Sequence, residues 1–179
     1  MNTLADLRAK FRDIQNDLPN ILKDVATTVS LTGKAIAERT IKDRGFGEQY
    51  SNTKVPAWFM DGKQLNASGS NFIAGKKKAG ELTNWKEFRE AQGLQTGHVD
   101  LSYANEMWAG MFPQDAYQNG NLFIAPLGHN NKAGQNKMNW NRDRYGDFIG
   151  KVLRGSVFDE MGEMAIEETM RLILSRHNL

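Results

Sequence analysis

Apolar residues recur at Leu4, Leu7, Phe11, Ile14 and Leu18, then at Ile21, Leu22, Val25, Val29, Ile36 and Ile41. Spacings of three and four gather side chains on one side of an α-helix and on no single side of a strand, so the opening segment is committed to helix. Pro19 suits the first turn of a second helix, because its missing N–H is unneeded there. The pattern therefore predicts one helix over 4–18 and another over 19–43, closed by Gly45. Two features oppose the second helix. Gly33 costs about 1 kcal/mol relative to alanine in a helix interior, and the β-branched run from Thr27 to Val29 is indifferent to helix. A helix over 19–43 spans about 37 Å at 1.5 Å per residue, longer than one small core needs, so it calls for partners.

Downstream the character changes. Residues 45–82 are rich in Gly, Asn, Ser and Lys with scattered Phe46, Tyr50, Trp58, Phe59 and Phe72, which predicts an irregular arm anchored by its aromatics. Thr83 or Asn84 is placed to cap a short helix over Trp85 to Gln92, with Glu87 near its positive end and Gly93 as its stop. The stretch VDLS at 99–102 leads into a further short helix, Asn105 to Met111 showing helical spacing. NLFIAPL and QNKMNWNRDRYG flank the loop GHNNKAG, and Met138, Trp140 and Arg142 alternate with Asn139 and Asn141, which predicts a β-hairpin. Ser156 with Asp159 resembles a capping box, and Phe158, Met161, Met164, Ala165, Ile166, Met170, Ile173 and Leu174 carry a final helix. The expectation is a single domain over 1–179: a helical region 1–44, an arm 45–82, short helices and a hairpin over 83–155, and a C-terminal helix 156–179. Its class is α+β, with long N- and C-terminal helices packing on a small antiparallel sheet and with a long irregular arm.

Composition narrows the chemistry. A chain with 40% hydrophobic and 25% charged residues reads as a soluble globular domain, and a formal charge of +2 without a concentrated basic block disfavours a dominant nucleic-acid footprint. The absence of cysteine removes disulfides, thiolate nucleophiles and Cys-based zinc sites, and suits intracellular assembly. Charges interrupt the opening MNTLADLRAKF too often for a signal peptide or membrane span. His98, His129 and His177 fall in no metal-binding spacing. His98 and Asp100 resemble a base with an orienting carboxylate, but no nucleophile motif such as GxSxG accompanies them, so a loop histidine is the simpler reading. Glu160, Glu163, Glu167 and Glu168 form the solvated side of a helix, and the glycines at 45 and 47 make a turn rather than a dinucleotide site. Met107 and Met111 read as core packing. Lys76, Lys77 and Lys78 are the one cationic cluster, either a solvated loop tip or a surface facing DNA. Four tryptophans and the long helices leave more apolar surface than one compact domain hides, which favours subunit interfaces. No catalytic, cofactor-binding or metal-ligating residue is expected.

The order of motifs carries a family likeness. An amphipathic N-terminus leads into IAERTIKDRGFGEQYS, a basic aromatic insert follows, then WKEFREAQGLQTGHVDLSYANEMWAGM, then NRDRYGDFIG and a last helix. From about residue 20 onward this resembles the neck or tail-completion proteins of tailed bacteriophages, which join a DNA-filled head to its tail. Gly45, Gly47 and Tyr50 match the family's turn after a helix; Trp85, Arg89, Gly93, Leu101, Ser102 and Met107 match its second segment, with Tyr103 and Ala104 where relatives often carry Thr-Gly. The resemblance implies a structural virion subunit with no catalysis. It implies a homo-oligomeric ring below the portal, contacts with portal, adaptor or head-closure proteins and with tail proteins, DNA passing through the bore at most non-specifically, no membrane, and assembly in the host cytoplasm. Tyr50, Trp58, Trp85, Arg89, Leu101, Met107, Trp108 and Trp140 are the expected packing or interface residues. The alternative is a small nucleic-acid-binding module in which Lys76–Lys78, Arg142 and Arg144 contact phosphates and Trp140 or Tyr145 stacks on a base.

Overall fold

A computed structural model describes residues 3–63, 66–101 and 106–178. Thirteen elements and one 3-10 turn follow in order: α1 Leu4–Arg44, β1 Val55–Pro56, the turn Ala57–Met60, α2 Ala67–Ala79, β2 Leu82–Thr83, α3 Trp85–Ala91, α4 Glu106–Ala109, β3 Met111–Pro113, β4 Tyr117–Asn119, β5 Leu122–Ile124, β6 Leu127–His129, α5 Lys132–Tyr145, α6 Phe148–Val152 and α7 Ser156–His177. The class is α+β with long terminal helices, and its antiparallel pairing is divided among three two-stranded ladders. The chain forms two compact units, Met1–Arg39 with Met107–Leu179, and Thr40–Glu106.

α1 is one helix of 41 residues rather than the two expected, about 60 Å long at 1.5 Å per residue. Thr3 and Asp6 start it as a reciprocal cap: the Asp6 carboxylate accepts from the Thr3 N–H at 2.7 Å, and Thr3 Oγ1 accepts from the Asp6 N–H at 3.2 Å. Those hydrogen bonds also hold the Asp6 carboxyl below its usual range. Pro19 lies inside the helix. It is exposed, as is Gln15, whose carbonyl loses its N–H donor to the proline ring, so water can satisfy that carbonyl and the helix continues. Gly45 ends it as expected, at φ 72 with its N–H on the Ile41 carbonyl at 3.0 Å. Covered positions recur every fourth residue, buried at Ile21, Val25, Gly33, Ala37 and Ile41 and half-buried at Val29. Each such step overshoots a turn by about 40°, so the covered line winds around the helix.

In the first unit α7 runs antiparallel to α1. The Arg176 guanidinium reaches Asp17 at 3.5 Å and also pairs with Asp24, and the Lys10 ammonium donates to the Asn178 carbonyl at 3.4 Å. At the other end a Cβ on Gly33 would stand 2.9 Å from Cε of Met161 and 3.3 Å from Cδ1 of Leu153, so the glycine earlier counted against the helix is what lets α7 and the chain before it close in. The expected Ser156–Asp159 capping box does not form: Gly155 precedes α7, and its carbonyl accepts from the Phe158 and Asp159 N–H groups.

Of the two expected strands only NLFIAPL contains strand, and its partners differ from the expected hairpin. β4 and β5 form a hairpin across the two-residue turn Gly120–Asn121, with Gly120 at φ 60, and β3 pairs with β6 around it, Met111 opposite His129. QNKMNWNRDRYG is not a strand but most of α5. Asn131 caps it by accepting from the Gly134 N–H at 2.8 Å, and Gly146 stops it. Its inward positions, Gly134, Met138, Asn141 and Tyr145, follow helical spacing, and Trp140 points outward. His129 packs against both Gly134 and Gly110, where a Cβ would meet its ring at 1.9 and 2.2 Å. Trp108 and Phe148 make the centre of this unit, their rings edge to face at 6.2 Å and 90°.

In the second unit the segment expected as an arm is irregular from Gly45 to Lys54. Beyond it, β1 pairs with β2, and α2 packs on α3 around Met60, Ile73 and Phe88, with Val55, Phe72 and Trp85 against them. Asn66 holds the two helices together, accepting from the Gly69 N–H at 2.9 Å and donating to the Gln92 carbonyl at 3.0 Å. Of the two candidate caps for α3 it is Asn84 that serves, accepting from the Glu87 N–H at 2.8 Å. Ser102, Tyr103, Ala104 and Asn105 lie outside the described residues, and with them the start of the expected helix that α4 ends.

Candidate functional site

α3 ends at Gly93, whose φ of 73 lets the chain reverse, with the Leu94 N–H on the Arg89 carbonyl at 3.0 Å. The reversal carries Asp100 back over α3. There the Arg89 guanidinium meets the Asp100 carboxylate at 2.8 Å, with the side chains 2% and 5% exposed. The Tyr50 hydroxyl donates to the other carboxylate oxygen at 2.7 Å and accepts from the Asp100 N–H at 3.2 Å. Arg89 also donates from Nε to the Gln95 carbonyl at 3.1 Å and stacks 4.6 Å above the Tyr50 ring. Burial raises the Tyr50 phenol far above its ordinary value of 10.0, so the ring stays neutral.

The network engages both Asp100 oxygens and the Tyr50 hydroxyl in protein hydrogen bonds. That is the form of a packing lock that joins three stretches of chain. His98 does not join it. Its Nε2 lies 3.0 Å from the Lys42 carbonyl at the end of α1, and its ring covers Gly45, where a Cβ would stand 2.7 Å away. The paired histidine and carboxylate considered from sequence are thus turned to different partners. Among the described residues no cluster of His, Cys, Asp and Glu could hold a metal ion, and no helix is long and apolar enough to cross a membrane.

Lys76, Lys77 and Lys78 form the last turn of α2, not a loop tip. Lys76 pairs with Glu81 at 2.7 Å and Lys77 with Asp61 at 2.6 Å, so acids partly neutralise the cluster, and the helix C-terminus favours all three cations. Exposed pairs of this kind contribute little. Replacing all three lysines by alanine is expected to leave the far-UV circular dichroism unchanged and the melting midpoint within about 4 °C of the parent. A lost cooperative transition would show that α2 depends on them. Arg144 stacks on Trp140 at 5.3 Å and on Tyr145 at 5.4 Å, a self-contained group on α5.

The residues expected to pack or to form interfaces divide in two. Tyr50, Arg89, Met107 and Trp108 are buried, whereas Trp58 and Trp140 stand 64% and 56% exposed. Trp85 and Leu101 are half-buried, Leu101 at φ 52 just after the lock. The sequence reading expected surplus apolar surface on the long helices without locating it, and the structure places it on two open seams. Leu4, Leu7 and Phe11 of α1 are exposed, as are Phe158, Ile166, Met170 and Leu174 of α7, and α7 contains no buried residue at all. The signal was present: the apolar residues of α7 occupy more of its circumference than one partner helix can cover. Comparison with protein-family models, with curated proteins and with solved structures finds no match for this chain.

Proposed function

We propose that the chain is a structural virion protein of a tailed phage, a subunit of the neck or tail-completion ring that joins the portal and head-closure complex to the tail. The order of motifs supports the phage assignment. The observation that carries the structural role is the exposed apolar surface of the two terminal helices, from Leu4 to Phe11 and from Phe158 to Leu174. Exposed apolar runs of this length are the mark of surfaces that another protein covers. Several of the residues that carry the resemblance, Tyr50, Arg89 and Met107, are interior. A scaffold subunit needs such a rigid interior, with its recognition outside.

The test is a particle inventory. Deleting the coding sequence from the phage genome that carries it is expected to leave filled heads that fail to join tails, and mass spectrometry is expected to find the chain in complete particles. Infectious particles formed without it would end this reading. The nucleic-acid alternative draws on the Arg144, Trp140 and Tyr145 stack, and it predicts DNA binding that weakens steeply with salt.

A further inference from the structure

We propose that copies of this chain associate head to tail, the open stripe of α7 on one copy seating against the open N-terminal stripe of α1 on the next. The inference deepens the ring reading above and rests on it for the expectation that copies meet.

On α7 the side chains of Phe158, Ile166, Met170 and Leu174 are 45–67% exposed and fall, with Gly162, at every fourth position. They make a ridge about 24 Å long. Met161, Ala165, Leu172 and Ile173 are half-buried on the side that α1 already occupies, so the ridge is a second apolar face. On α1, Leu4, Leu7 and Phe11 are 65%, 47% and 62% exposed at spacings of three and four. Either ridge alone fits any apolar groove; charge selects between occupants. Glu163 and Glu167 are exposed beside the α7 ridge, and Arg8 and Arg12 beside the α1 ridge. None of these four is engaged in an ion pair among the described residues.

Setting two α7 ridges together would place carboxylates against carboxylates, and two α1 ridges would place guanidinium groups together. Pairing unlike ridges neutralises both rims while covering both apolar stripes. The occupant is therefore a second copy of this chain; a reciprocal two-fold pairing would satisfy the same charges in a closed dimer, and it is the ring reading above that selects the heterologous arrangement. Such contacts propagate from copy to copy and close into a ring where the rotation permits.

Complementary surface variants test this. Ile166→Asp with Met170→Asp removes one ridge; Leu7→Asp with Phe11→Asp removes the other. All four positions are exposed, and circular dichroism checks that each variant folds. In sedimentation velocity over a concentration series, the parent is expected to grow beyond twice the 20.2 kDa subunit mass, with each variant weakened by roughly 30-fold or more. Mixing the two variants is expected to yield one-to-one dimers and nothing larger, because each contributes one intact ridge. Arg8→Glu with Arg12→Glu is expected to weaken association, and adding Glu163→Lys with Glu167→Lys in the same chain to restore it.

A parent that stays monomeric throughout, a mixture that stays monomeric, a variant that assembles like the parent, or a charge reversal without rescue would overturn the proposal. Association through these ridges by a chain absent from particles would end the neck reading alone. A monomer found in particles would end this inference alone.

Discussion

Replacing Arg89 by methionine is expected to destabilise the subunit by about 3–5 kcal/mol, the cost of leaving one charge of a buried pair without its partner. Asp100 would keep the Tyr50 hydroxyl but lose the guanidinium now 2.8 Å away, in a site where water reaches only 5% of its side chain. The Gln95 carbonyl would lose its donor as well. Urea melts measure the loss, and a change under about 1 kcal/mol would refute the role given to this network. Tyr50 adds a pH signature. Its folded pKa lies above the unfolded value of 10.0 because burial disfavours the phenolate. Below pH 10 both states hold the proton and the contribution is complete. Above it the unfolded chain releases the proton first, so the unfolded state binds fewer protons and stability falls, by up to about 1.4 kcal/mol per pH unit. Tyr50→Phe is expected to flatten that alkaline slope while costing about 1–3 kcal/mol at neutral pH for the lost hydroxyl. An unchanged slope in the variant would assign the alkaline loss to other groups.

Trp108→Ala is expected to cost the free subunit about 3–5 kcal/mol, the range for emptying a buried aromatic site. Burial decides between the two roles the sequence left for this residue. Trp108 is 0% exposed and set edge-on against Phe148, so it belongs to the interior of one subunit and not to a contact between subunits. With total stabilities of about 5–15 kcal/mol for domains of ordinary size, the variant sits near the threshold of unfolding, and denaturant melts of the isolated chain read this directly. Trp108→Phe is expected to cost much less. It keeps a ring against Phe148 and removes an indole N–H that finds no acceptor among the described residues. Were Trp108→Ala to melt like the parent, this side chain would not be the centre of its unit.

How much of this was legible beforehand depends on the range of the interactions. The long amphipathic stripe, the Gly45 stop, the Gly93 limit of α3 and the final helix rest on neighbours three or four residues apart. Sequence alone determined them, because caps and helical periodicity are local. α5 was misread although its local signals were present. Alternating Met138, Trp140 and Arg142 looked like a strand, while the Asn131 cap and Gly146 stop marked a helix. Two-fold alternation over a few residues is weaker than a capped stretch with helical burial. Pro19 misled in the opposite direction: on an exposed face the lost hydrogen bond is replaced by water, so a local break signal did not break the helix.

Tertiary structure alone decided the rest. The strands of Met111–Pro113 and Leu127–His129 are three residues each, too short to show a period, and exist because each is the other's partner. The lock of Tyr50, Arg89 and Asp100 joins residues up to 50 positions apart. Nothing local to any of them specifies that meeting. The same holds for the ridges on α1 and α7. Periodicity places apolar side chains on a face, but whether that face is covered is a property of what the rest of the chain brings against it. Here the chain brings one neighbour to a helix with two apolar faces, and leaves Phe158, Ile166, Met170 and Leu174 in solvent.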